Sequence, residues 1–386
     1  MGRIGYGFRR RFCLLPCFIV TFSLGSNTSL DLYFKSYGPK GTILIKNPTL
    51  TWECWADDPK MIQSVEAELD GKPIQATYDP NLRKVIASTG VLAAGAYQVA
   101  MRVRYPGGGV HEKSWKLQVS DRALDNLPAP DDAQREALAA ANDVRAGMGL
   151  EPYSMDDRIN AAGKAHAKYL EQNKMTGHVQ REGTPGFFGK THKERLEAFG
   201  FVGNAVENVA YGAVDAKEAI QSLIDAPYHR LAFLQPGKLE FGSGLAGKCL
   251  TMACSLSERE QTVVYPGDGQ KGIPTYWNKP EVPDPLAIHG ASGRKVGYVI
   301  TFAHFMPSKA RLQVDEATLK SADGTLVDTY VNTPANDKNL EQACFLIPQG
   351  PLKPNTTYTA SVKGVVDTDE GPERVSKTWQ FTTGAK

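Results

Sequence analysis

The spacing of hydrophobic positions changes period along the chain, and the changes divide it into regions. Between about residues 30 and 120, apolar and polar residues alternate, as in half-buried strands. Thr49-Leu50-Thr51-Trp52-Glu53-Cys54-Trp55 is a strand candidate, and Val65 to Leu69 alternates into the hairpin signal Asp70-Gly71. Met101, Val103 and Tyr105 continue the alternation, and Trp115, Leu117 and Val119 make a last strand. From residue 132 the period becomes helical. Leu138, Ala141 and Arg145 share a face, and Ile159, Ala162, His166, Tyr169 and Leu170 follow at helical spacing. Ser154-Met155-Asp156-Asp157 reads as the capping box of that second helix, Thr191 to Glu194 caps a third, and Asp215 to Glu218 a fourth that carries Ala219, Ile220, Leu223 and Ile224. Strands are predicted at Leu239–Leu245 and about Cys249–Leu256, so helices precede paired strands in a layered α/β region. Alternation returns over 285–386, with Gly297 to Phe302, a hairpin signal at Asp323-Gly324 and a closing strand Trp379 to Thr383.

Pro and Gly mark the boundaries. Residues 121–131 carry Pro128 and Pro130 and read as a linker, and 261–284 carry Pro266, Pro274, Pro280 and Pro283 and read as an extended connector. The expected organisation is a β region at 26–120, a mixed region at 132–260 and a second β region at 285–386. The first 25 residues read as an export signal. Arg3, Arg9, Arg10 and Arg11 precede the apolar run Phe12 to Leu24, which is shorter than the roughly 18 residues a bilayer span needs, and small residues follow at Ser23-Leu24-Gly25.

The expected location is therefore extracellular or at the cell surface, with no transmembrane span once the signal is removed. The formal charge of +2 falls to −2 without those four arginines. No Lys/Arg cluster remains that would mark a nucleic-acid surface. Of the six cysteines, Cys13 and Cys17 leave with the signal. Cys54, Cys249, Cys254 and Cys344 allow three pairings, with Cys249–Cys254 favoured by proximity in the chain if a turn or bulge separates them. No Cys-x-x-Cys suggests that they hold a metal.

Three residues stand in distinctive frames: His178 in Thr176-Gly177-His178, Glu207 in Glu207-Asn208-Val209-Ala210-Tyr211-Gly212, and His229 in Pro227-Tyr228-His229-Arg230. Two imidazoles and a carboxylate are the ligand set of a common zinc site with an open fourth position. They are candidate ligands for Zn2+ or another divalent metal, with Glu207 as the candidate general base. The plainer reading is a hydrogen-bonded cluster with Asn208 and Arg230 as its outer partners. His166 falls on an apolar stripe and reads as a buried or groove-lining residue. No Gly-x-Ser-x-Gly elbow, His-Glu-x-x-His helix, P-loop or dinucleotide fingerprint is present.

The middle region resembles the CAP superfamily (SCP-like proteins), in its bacterial branch. The resemblance rests on Asn142-Asp143-Val144-Arg145, Gly149-Leu150-Glu151-Pro152, Ala165-His166-Ala167, His178, Glu207 to Gly212, His229-Arg230 and Gly242-Ser243-Gly244, in that order. It implies an α/β/α sandwich with an open groove lined by two histidines and two acids. His178, Glu207 and His229 match three of these. The fourth, an acid, would fall at Ala226, and Leu223 stands where Trp is usual. Asp225 is adjacent to Ala226, but one helical step points it about 100° away.

The flanking regions resemble immunoglobulin-like sandwiches, the second also fibronectin-III-like. Leu92 to Val99 and Leu352 to Tyr358 look like tyrosine corners. The expected fold class is thus multidomain, a CAP sandwich between two all-β sandwiches. The missing acid at Ala226 favours an extracellular binding module for a peptide, glycan or lipid, with cell-wall association in a bacterium. The alternative readings are a metal-dependent hydrolase, peptidase-like, using His178, Glu207 and His229, and an architectural envelope protein.

Overall fold

The computed structural model describes residues 18–24, 28–277, 281–307, 310–368 and 371–385. The segment 1–25 read as an export signal therefore lies mostly outside the described residues, and its part Phe18–Leu24 is a strand paired antiparallel with Thr28–Gly38. The protein is multi-sheet and mostly β, with its helices gathered between residues 132 and 233. Among the described residues no helix is long and apolar enough to cross a membrane.

The amino-terminal region holds two five-stranded sheets. Alternation puts Leu50, Trp52 and Cys54 of the strand Thr49–Ala56 into one core with Val99, Met101 and Val103 from the strand Gly95–Tyr105. Asp70 and Gly71 both take positive φ, 51° and 74°, and so close the tight hairpin between Ser64–Leu69 and Lys72–Ile74. The Tyr97 hydroxyl donates to Ala93 O at 3.0 Å, a bond back to the preceding turn.

The central region is one four-stranded sheet with helices on both faces. Its strands run Ser154–Met155, Glu240–Ala246, Cys249–Ser255, Ala205–Tyr211 across the sheet, so Ala205–Tyr211 is an edge. The helices are α1 (Asp132–Gly147), α2 (Asp157–Asn173), α3 (His192–Ala198), α4 (Ala216–Asp225) and α5 (Pro227–Phe233). Leu250, Met252 and Cys254 face the side of α1, α4 and α5, whereas Cys249 and Ala253 face the side of α2 and α3. Helix α2 lies almost directly on the strand Glu240–Ala246. A Cβ on Gly244 would sit 2.2 Å from the Lys164 backbone and one on Gly242 2.4 Å from Asn160 N, so both positions need glycine.

The caps of α3 and α4 are the predicted ones, Thr191 with Glu194 and Asp215 with Glu218 N. The cap of α2 is not. Ser154–Met155 pairs with Glu240–Phe241 and keeps the chain extended, so Asp156 becomes the cap and accepts from Arg158 N and Ile159 N. The four described cysteines are all free and buried, because Cys249 and Cys254 lie on one regular strand with no bulge between them. Burial pushes the Cys249 thiol up to about 12 and that of Cys254 to about 11.

The carboxy-terminal region has two four-stranded sheets. The segment read as an extended connector supplies two of their strands. Gln261–Tyr265 pairs with Ile300–Phe305, and Gln270–Ile273 pairs with Gly371–Thr383. Ile300–Phe305 is buried on both faces, so the alternation read over Gly297 to Phe302 does not mark its bounds. One hydrophobic core runs from α1, α4 and α5 into this region, and another joins the amino-terminal sheets to α2 and α3. Arg230 belongs to the first joint. It is fully buried, lies 4.5 Å from the Tyr265 ring and 5.2 Å from the Tyr298 ring, and donates to Ile224 O (2.6 Å), Val299 O (2.8 Å) and Thr301 Oγ1 (2.9 Å).

Candidate functional site

The edge strand Ala205–Tyr211 organises the site because its side chains alternate between the two faces of the sheet. Glu207 points to the α2–α3 side and Asn208 to the α5 side. After α2, Lys174 adopts a left-handed conformation (φ 52°) and Gly177 a positive φ of 92°, which together turn the chain back toward the strand. The Gly177 N–H donates to the Tyr211 hydroxyl at 2.6 Å and pins the loop that carries His178.

His178 Nδ1 lies 3.1 Å from Glu207 Oε1. The carboxylate is held harder by a residue the sequence reading did not single out. Arg195 Nη2 donates to Glu207 Oε1 at 2.8 Å and to Oε2 at 2.7 Å. The same guanidinium donates to His178 O (2.9 Å) and Lys190 O (3.1 Å), so it ties the loop to the strand. Arg195 is buried to 1% exposure. In sequence it sits among Lys193, Glu194 and Glu197 of a seven-residue helix, which reads as a solvated face. Burial alone would raise the Glu207 carboxyl, but the His178 hydrogen bond and the Arg195 charge bring it below its ordinary value.

His166 is buried as its place on α2 predicts. Its Nδ1 meets Gln180 Nε2 at 3.1 Å, and its Nε2 has no hydrogen bond among the described residues and lies 3.8 Å from Glu207 Oε1. Burial, with the Arg195 charge nearby, lowers its pKa to about 4, so the ring is neutral. A cavity against Glu207, lined by Arg195, Ile159, Leu196 and Met252, has room for about one water.

His229 is reached from the other face. Asn208 Nδ2 donates to His229 O at 2.8 Å, so the histidine is tied to the residue next to Glu207. Its ring does not meet Glu207. His229 Nδ1 instead lies 2.7 Å from Glu281 Oε1. That oxygen also accepts from Tyr228 N (2.9 Å) and His229 N (3.0 Å). Glu281 is the second residue the sequence reading missed. Its only local signal was an acid set between Pro280 and Pro283, and 52 positions separate it from His229. Ala226 carries no acid, and Asp225 faces the carboxy-terminal joint, where its Oδ1 accepts from Tyr298 OH at 2.8 Å. Arg230 points into that same joint and away from both histidines.

The structure thus brings His178 to Glu207 and His229 to Glu281. Among the described residues no group of three or more His, Cys, Asp or Glu side chains is gathered closely enough to hold a metal. Both histidines use Nδ1 on a carboxylate, and Nε2 of each makes no hydrogen bond within the described residues. A neutral ring that donates from Nδ1 keeps its lone pair on Nε2.

Residues 138–249 match the family model described as the cysteine-rich secretory protein family, CAP. No curated protein matches the chain. Among solved structures, similarity is found to an extracellular SCP-domain protein of Bacillus anthracis, at 13% identity and a TM-score of 0.28, covering 62% of this chain and 67% of that one. CopC of Methylosinus trichosporium is similar at 17% identity and a TM-score of 0.19 over 25% of this chain and 97% of that one.

Proposed function

With residues 138–249 a CAP domain, we propose that the chain is an extracellular binding protein that offers two oriented imidazoles, His178 and His229, to its ligand. The observation that carries this reading is the shared orientation device. Each ring spends Nδ1 on a carboxylate, which leaves Nε2 free as an acceptor or metal donor. The two imidazole nitrogens suit Zn2+ or another divalent ion, while Glu207 does not suit the part of ligand. Both its oxygens already accept from Arg195. Two imidazoles would leave the remaining positions of a tetrahedral ion to water or to the bound ligand.

The same arrangement favours binding over the hydrolase reading. A general base works best with its pKa near the working pH, and the Glu207 carboxyl is displaced in the opposite direction. Asn208 anchors the His229 backbone and stands as an outer partner of the site. The cavity against Glu207 is too small for a ligand, so a peptide, glycan or lipid would lie across the surface. Immunoglobulin-like flanks and cell-wall association remain part of this reading, as does removal of residues 1–25 on export, which would leave Thr28–Gly38 as a sheet edge.

The test is a calorimetric titration of Zn2+ into the full chain beside a His178→Ala/His229→Ala double variant. Stoichiometric heat in the parent, absent from the double variant, is the expected result. Equal heats from both proteins, or none from the parent, would remove the metal from this reading.

A further inference from the structure

Glu281 lies outside the segment 138–249 that matches the CAP family, yet its side chain is fully buried against α5. Helix α5 has no side-chain cap of its own, since Ala226 stands at its N-cap. Glu281 Oε1 performs that task from a distance by accepting from Tyr228 N and His229 N. A cap needs only those backbone donors. The same oxygen makes its shortest contact, 2.7 Å, to the His229 ring, and Oε2 has no hydrogen-bond partner among the described residues. A buried carboxylate with an orphaned oxygen is a costly way to cap one short helix.

We propose that Glu281 is a positioning residue for His229, so that the pair of imidazoles is built by two regions of the chain and not by the CAP domain alone. The carboxylate holds the ring in the Nδ1–H tautomer and turns Nε2 outward. The joint around it does not depend on this contact. Trp277 Nε1 donates to Asp225 O at 2.9 Å, Arg230 donates to Val299 O and Thr301 Oγ1, and the Tyr228 hydroxyl donates to Asp337. Glu281 can therefore be altered while the carboxy-terminal region stays docked.

The experiment uses the full chain with 15N-labelled histidine rings, of which there are seven. In the parent, His229 is expected in the Nδ1–H form. Glu281→Gln keeps a carbonyl oxygen for the backbone donors and removes the charge. It should shift the His229 ring nitrogens toward the mixed tautomer of a free imidazole and leave His178 unmoved. Tyr228→Phe, which loosens the joint beside Glu281, should leave the His229 ring as in the parent. The proposal is overturned by a His229 spectrum identical in the parent and Glu281→Gln, or by an equal shift in Tyr228→Phe. The consequence for ligand rests on the function proposed above. If the parent binds Zn2+, Glu281→Gln should weaken that binding by about tenfold or more. A parent that binds no Zn2+ defeats the metal reading alone, because the ring spectrum decides the role of Glu281 separately.

Discussion

The two histidines rest on two differently balanced carboxylates. His178 leans on Glu207, whose charge is met by a buried arginine from the same domain, and the ring itself is half exposed at 49%. His229 leans on Glu281, which lies beyond the segment 138–249 that matches the CAP family, has no Lys or Arg partner among the described residues, and is met by two backbone N–H groups instead. The first dyad is a local ion-pair cluster. The second is a contact between regions that exists only when the carboxy-terminal strands are in place. A pair of similar imidazoles can thus be oriented by a full countercharge or by a helix terminus, and the two solutions should fail under different perturbations.

The largest effect should come from removing the countercharge. Arg195→Ala leaves Glu207 ionised and buried without its cation, and should lower unfolding free energy by about 3–5 kcal/mol, read by denaturant unfolding. A loss near that of an ordinary surface substitution would mean that the Arg195–Glu207 pair is not the keystone of the His178 side.

Acid should also act on that side first. His166 is neutral in the fold with its pKa lowered to about 4 from about 6.5, so the unfolded chain binds the extra proton. Its contribution is fully present above about pH 6.5 and is lost as pH falls toward 4, on the order of 3 kcal/mol. Glu207, with its pKa also lowered, adds a loss of the same sign when the pH drops below the ordinary carboxylate range. Stability measured against pH in the parent and in His166→Gln should differ in slope between about pH 6.5 and 4, and parallel curves would contradict this assignment.

The smallest effects set the two acids and rings side by side. Glu281→Ala exposes two helix N–H groups to loss of their acceptor and should cost about 1–2 kcal/mol, the value of a lost cap. His178→Ala removes a half-exposed ring and should cost less than about 0.5 kcal/mol. Thermal unfolding of the two variants in parallel sharpens the contrast, and a larger loss in His178→Ala would reverse it.

Much of this was legible in the chain. Period-two runs announced the strands around Trp52 and Met101, and the caps Thr191 and Asp215 announced α3 and α4. These features are local, because a hydrogen-bonded turn or an alternating face is decided within a few residues. His178, Glu207 and His229 were legible as candidates through their local frames and their order. Their partners were not. Arg195 looked like one charge among several on a short helix, and Glu281 like an acid in a proline-rich connector. What each of them does depends on which strand or helix terminus it is packed against. Local periodicity carries no information about that, since the pairing of a buried carboxylate with its cation or its backbone donors is settled by the docking of elements distant in the chain. The sequence by itself therefore marked many of the elements, the CAP-like order of motifs and two candidate imidazoles. Only the tertiary structure decided which carboxylate orients each ring, because the first partner is set by the packing of α3 on an edge strand and the second by the docking of the carboxy-terminal region.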